Sequence, residues 1–213
     1  TEIKPRPVGA KADFPKLDRH FAGRLEMKLP QIKTVRLTKS YIAPSFNTNR
    51  EAVYPLLVLS AYLGEGETSK LYKKLVLEEK NALGVSVAYD FASRSYGGFS
   101  ISAMPKEDVD AKAFETALDK AVKEALAEIS VEEIEKTKGK MLAGQVYLRD
   151  NPNDAAYIAG SMAAVGMSVE DIENHADNIR KVSAGDVRKA AEKLFGRAIN
   201  VTGVIKPEKE EGW

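Results

Sequence analysis

The sequence predicts an α+β fold: a mostly antiparallel sheet of four to six strands, with several helices packed on one face. Three observations predict it. Apolar and polar residues alternate near both ends of the chain and in a hairpin between them, around Leu83 to Ala103. Helical periodicity is grouped mainly in the second half instead of alternating with strands. Three openings of the form Ser-x-x-(Asp/Glu), at Ser130, Ser168 and Ser183, each mark a helix start. With 213 residues, 44% hydrophobic and 30% charged, the chain can bury one sizeable core or two small ones.

Residues 1–23 are punctuated by Pro5, Pro7, Gly9 and Pro15 and read as a linker or N-terminal arm. A single domain is expected over 24–207, with a tail at 208–213. Its first extended run alternates Leu25, Met27 and Leu29 with Glu26 and Lys28. A second, from Ile32 to Ile42, is rich in β-branched residues and closes at Ala43-Pro44-Ser45. Residues 50–62 form a helix that is apolar nearly all round and hence buried; Pro55 suits it best if the helix starts near Tyr54.

Next comes the stretch that organises the chain, Leu63 to Tyr89. A glycine turn (Gly64, Gly66) leads into a helix with Leu71, Tyr72, Leu75 and Val76 on its buried face, and Thr68 or Ser69 as its cap. Lys70, Lys73, Lys74 and Lys80 point outward. After a break at Asn81, Leu83, Val85, Val87, Tyr89 and Phe91 alternate with Gly84, Ser86, Ala88 and Asp90 as a strand with one buried face. Its return strand carries Phe99, Ile101 and Ala103, and Pro105 ends it.

Helices follow. Phe114, Leu118, Ala121 and Ala125 mark one; Ile134, Met141, Gln145 and Leu148 mark another, which runs to the break at Asn151-Pro152-Asn153. An alanine-rich helix ends at Gly166. Val169, Ile172, Ala176 and Ile179 define the helix after Ser168, and Val187, Ala190, Ala191 and Leu194 the one after Ser183. Ile199, Val201, Gly203 and Ile205 alternate in a last strand.

Residues 63–89, LGEGETSKLYKKLVLEEKNALGVSVAY, together with YIAPS at 41–45, resemble the C-terminal half-domain of insulinase-type zinc metallopeptidases, the group of pitrilysin and mitochondrial processing peptidase. The likeness runs from about Arg24 to Pro207. It implies an insulinase-family α+β domain of a bacterial proteolytic machinery, a hydrolase in which two homologous domains close around unfolded peptide.

Several functions are excluded or disfavoured by composition. A net charge of +1 supplies no basic field for a nucleic acid backbone. Without cysteine there is no thiolate chemistry and no disulfide. No apolar run approaches the ~20 residues of a membrane span. The chain opens on Thr and is expected to be a piece of a longer protein. The compartment stays open between the cell envelope or periplasm and the cytoplasm of a bacterium.

The family's zinc site is His-x-x-Glu-His on a helix plus a distant Glu. Here the two histidines, His20 and His175, stand far apart, and neither has a ligand at that spacing. Both read as surface residues, so no metal and no catalytic residue is expected on this chain; zinc is expected in a preceding N-terminal domain. Adjacent carboxylates such as Glu78/Glu79 and Glu132/Glu133 diverge by about 100° on a helix and cannot flank one substrate atom. In catalytic relatives this half supplies an Arg near the end of the signature helix and a Tyr at the start of the next strand, which hold the substrate carbonyl and oxyanion. The resemblance places those positions at Glu78 (or Leu77) and Val85, so neither donor is retained. Tyr89, four residues along the strand from Val85, is the remaining substrate-contact candidate.

The resemblance therefore implies a substrate-enclosing, non-metal-binding domain of a zinc endopeptidase, with no activity of its own. Its partners would be the N-terminal metal-binding domain of the same protein or a homologous subunit, and peptide substrate, with a homo- or heterodimer as a further arrangement. The alternative is a non-catalytic scaffold or assembly subunit like the core proteins of the respiratory cytochrome complex, for which the missing Arg and Tyr speak.

Overall fold

The computed structural model describes residues 22–149, 152–196 and 200–208. The expected arm (residues 1–21 of it), His20, Asn151, Ile199 and the end of the tail lie outside them. Five strands form one sheet: β1 Gly23–Leu29, β2 Arg36–Ala43, β3 Ala82–Asp90, β4 Gly97–Pro105 and β5 Val201–Pro207. Their order is β1-β5-β2-β4-β3, and every neighbouring pair is antiparallel except β1 with β5. The helices are α1 Arg50–Gly64, α2 Lys70–Tyr72 with a π-helical continuation Lys73–Glu78, α3 Ala111–Ala127, α4 Val131–Arg149, α5 Pro152–Ala164, α6 Val169–Glu173, α7 His175–Lys181 and α8 Ala184–Phe195.

One sheet face is the floor of the core. Leu37, Tyr41 and Ala43 of β2, Phe99, Ile101 and Ala103 of β4, Val87 and Tyr89 of β3 and Val204 of β5 share it by register. Phe195 of α8 closes over it, its ring 5.0 Å from Tyr41 and 5.8 Å from Phe99, edge-on to both. Phe114 and Leu118 of α3, Leu71 and Leu75 of the signature helix and Leu59 and Leu63 of α1 complete the core, all fully buried. The caps follow the residues. Asp110 accepts from the amides of Lys112 and Ala113, and Ser168 and Ser183 form reciprocal capping boxes with Asp171 and Asp186.

The structure corrects the reading in several places. Strand β2 begins at Arg36, because Ile32 closes a turn on Leu29. Helix α1 starts at Arg50, so Pro55 lies inside it and one helical amide bond is missing there. Gly64 is still helical, and the turn falls at Gly66, whose φ is +74°. Ser69 precedes α2 but donates its hydroxyl to the Gly66 carbonyl and accepts nothing from the helix.

The signature helix is not uniformly α-helical. The Glu79 amide reaches the Lys74 carbonyl at 2.9 Å, five residues back, and Asn81 reaches Leu75 at 3.1 Å around Lys80, which adopts φ +55°. Leu71 and Leu75 stay buried, while Leu77 is left 53% exposed. In β3 a bulge between Ala82 and Gly84 changes the phase: Ala82 is buried and Leu83 exposed, so the regular alternation begins at Val85. The helix expected after Ser168 is two helices, divided at Asn174, and Val169 is exposed. Strand β5 has the opposite phase to that expected. Thr202 and Val204 face the core, and Val201, Gly203 and Ile205 face away.

Candidate functional site

The end of the signature helix and the strand that follows it bring the candidate residues to the edge of the sheet. Glu78 is the last residue of the π-helical stretch, well exposed, with Lys74 Nζ 4.0 Å away. Beside it in sequence, Leu77 offers only an aliphatic side chain to solvent. Val85 is half-buried and stands opposite Ala103 on the core face of β3. Tyr89 lies about 13 Å farther along the strand by the usual rise per residue. Its ring is buried, 6.1 Å from both Phe91 and Phe99, and its hydroxyl donates to the Pro44 carbonyl at 2.6 Å. Burial pushes the Tyr89 phenol well above its ordinary range. The hydroxyl thus ties the end of the edge strand β3 to the chain just after β2.

Chemically, this edge presents a carboxylate and aliphatic surface. A carboxylate opposes a developing oxyanion, and Val85 has no donor to give one. Two lysines of the signature helix, Lys70 and Lys74, are held by carboxylates of the neighbouring helices and their ends. Lys70 Nζ is 3.0 Å from Glu128, which caps the end of α3, and 3.6 Å from Glu133 of α4, and Lys74 is 3.3 Å from Glu124 of α3. A cleft of about 230 Å³ beside them is bounded by Tyr62, Ser69, Lys70, Lys73, Lys136 and Lys140.

Among the described residues no three His, Cys, Asp or Glu side chains gather as a metal centre requires. His175, expected on a polar surface, is instead wedged between Tyr54 of α1 (ring centroids 5.4 Å) and Phe91 (6.0 Å). Its buried Nδ1 has no hydrogen-bond partner, and burial lowers its pKa. The nearby Asp171 is engaged by Ser168 and Arg50. The break at Asn174 starts a new helix at His175 and so resets the helical phase; a continuous helical wheel hides this.

Two buried lysines also escaped the reading. Lys39 projects from the core face of β2 to Asp119 at 2.5 Å and Glu115 at 3.4 Å on α3. Lys138 lies one turn after Ile134 on the inner stripe of α4. Its ammonium donates to the carbonyls of Arg180 (2.9 Å) and Val182 (2.8 Å), closing the end of α7. The signal was present in both cases: alternation puts Lys39 between Leu37 and Tyr41, and i,i+4 spacing puts Lys138 under Ile134.

A family model described as the peptidase M16 inactive domain matches residues 2–141. Among solved structures the chain is similar to a protease from Helicobacter pylori (TM-score 0.83, 18% identity, covering 95% of this chain and 48% of that one). It is also similar to the peptidase M16 inactive domain from Pseudomonas fluorescens (TM-score 0.73, 15% identity, 95% and 47%). A chain of complex III2 from Candida albicans shares the fold as well (TM-score 0.71, 10% identity, 88% and 46%). This chain spans about half the length of these relatives. Curated protein sequences give no match.

Proposed function

The chain belongs to the peptidase M16 inactive-domain family, and on that premise we propose that it is the metal-free, substrate-enclosing half of a zinc endopeptidase acting on unfolded peptides. The observation that carries this reading is the family match together with the half-length coverage of a protease of the same fold. A second body of similar size would hold the zinc and the water it activates. The half described here would close over the peptide, exclude water and orient the scissile bond. If Glu78 and Val85 stand where catalytic relatives place donors, as the resemblance implies, its contribution would be enclosure more than charge stabilisation. Tyr89 would join in only by giving up its bond to Pro44.

A second reading, a non-catalytic scaffold, is favoured by that same lack of donors and by the shared fold with a complex III2 chain. One experiment separates the two: an unfolded peptide incubated with this chain, with the other half of its parent, and with both. Cleavage by the mixture alone supports the enclosing role. Chelator-sensitive cleavage by this chain alone overturns it, and no cleavage by the mixture favours the scaffold.

A further inference from the structure

The lysines around the start of the signature helix are not all alike. Lys70 and Lys74 have carboxylate partners on or beside α3 and α4. Lys73 stands between them on the same helix, and Lys136 and Lys140 on α4. Among the described residues none of these three has a carboxylate partner. Unpaired lysines are common on a solvated surface; these differ in where they stand. All three line one hollow of about 230 Å³, enclosed by the end of α1, the start of the signature helix and α4. With Lys70, four lysines meet two carboxylates there. Glu133 is already engaged by Lys70, and Glu65 pairs with no lysine among the described residues.

This placement does nothing for the domain by itself. Lys136 and Lys140 are one turn apart on α4, where like charges repel, and Lys73 adds a third ammonium from the signature helix. A hydroxyl completes the lining. Thr68 Oγ1 accepts from Lys140 Nζ at 2.5 Å, which fixes the ammonium at the turn and leaves the threonine proton for another acceptor. Behind Lys70 stands the buried ring of Tyr62, 5.8 Å from its Nζ. The Tyr62 hydroxyl is spent on the Ala125 carbonyl at 2.8 Å, so the inner wall is neutral and the positive charge is unopposed.

We propose that this hollow is a binding site for one or two phosphate groups, held by Lys73, Lys136 and Lys140 with the Thr68 hydroxyl. Two features choose this class of ligand. Ammonium groups are point charges that a tetrahedral oxyanion accepts from several directions, and three of them call for more negative charge than a single carboxylate brings. The hollow is also smaller than the roughly 300–1,000 Å³ that encloses a drug-sized ligand, so it admits a phosphate or a pyrophosphate and not a length of acidic peptide. The site lies at the start of the signature helix, whereas Glu78 lies at its end. It is therefore distinct from the candidate edge and does not depend on the two-half reading. A bound phosphate would tie the signature helix to α4 and raise the stability of the domain by linkage.

The test titrates this chain with inorganic pyrophosphate by calorimetry at low ionic strength, before and after Lys73→Gln, Lys140→Gln and both together. Lys193→Gln is the control, being exposed on α8, outside the hollow. The Lys73 side chain makes no hydrogen bond among the described residues, so its replacement should leave the melting temperature of the ligand-free chain unchanged. The expected result is saturable binding that raises the melting temperature, weakened about ten-fold by each single variant and abolished by the double one. The control should bind like the unmodified chain. A second arm offers vesicles containing phosphatidic acid. Vesicle binding that the double variant abolishes, with pyrophosphate bound weakly or not at all, supports the site and makes its phosphate a lipid headgroup. Oligoglutamate binding that the double variant abolishes, with neither phosphate probe bound, overturns the choice of phosphate. No binding of any probe, or binding that the double variant leaves intact, overturns the site.

Discussion

Gly64, at the end of α1, touches the backbone of Val87 in the middle of β3: a β-carbon on Gly64 would come within 2.4 Å of both the Val87 nitrogen and its Cγ2. A helix can lie this close to a strand only where its residue has no side chain. Gly64→Ala is therefore expected to push α1 off the sheet and to destabilise the domain by about 1–3 kcal/mol or more, despite alanine's better helix propensity. Urea unfolding would check it, and a neutral or stabilising result would show that α1 does not seat on Val87.

Leu71 and Leu75 are each fully buried beneath the signature helix. Replacing either with alanine should cost about 2–5 kcal/mol, since the π-helical turn and the helices around it leave little room to collapse. Thermal melts that match the unmodified chain would mean that the helix is not packed as described.

Lys80 ends that helix in a left-handed conformation, φ +55°, which an L-residue with a β-carbon adopts at a cost. Lys80→Gly should stabilise the domain by about 1 kcal/mol, after allowing for the greater freedom of glycine in the unfolded chain. For a domain of this size that corresponds to a rise in Tm of about 2–4 °C. A fall in Tm would contradict the assigned turn.

His175 links stability to pH. Burial between Tyr54 and Phe91 lowers its pKa in the folded state, so below its ordinary value near 6.5 the unfolded chain binds a proton that the folded chain does not. Stability from this site is present above pH 6.5 and is lost as pH falls towards the folded pKa. The rings packed against it are those of Tyr54 and Phe91, and Asp171, four residues earlier in the chain, is held below the usual carboxylate range by Ser168. Between pH 7 and 5.5 the unmodified chain should lose stability at no more than about 1.4 kcal/mol per pH unit from this site, and His175→Phe should remove that slope. Identical slopes for the two proteins would show that the imidazole titrates as if exposed.

Most of the fold was legible because its signals are local. The capping serines, the hairpin pattern from Val85 to Ala103 and the stripes of α3 and α8 depend on neighbours within a few residues, and they stand where the sequence puts them. What was missed depends on distant parts of the chain. The bulge at Leu83 and the orientation of β5 are set by pairing partners, Pro105 and Leu37 among them, that periodicity does not see. The burial of His175 depends on a helix break at Asn174, and that of Lys138 on carbonyls more than forty residues away. At the candidate site, the sequence proposed Glu78, Val85 and Tyr89. That the Tyr89 hydroxyl is engaged by Pro44, by contrast, is a tertiary fact.

The parallel pairing of β1 with β5 has a consequence for synthesis. Gly23 stands beside Val201, and β5 lies between β1 and the rest of the sheet. A nascent chain therefore carries β1 without any place to join until β5 has left the ribosome, roughly 10–35 s later at ordinary elongation rates. During that interval Leu25 and Met27 travel on an unpaired strand, the kind of segment that chaperones hold and that aggregates when they do not. A chain whose synthesis ends after α8 has all of the described helices but only three of the described strands, β2, β4 and β3, able to pair. The last seven-residue strand is thus the step that commits the whole domain.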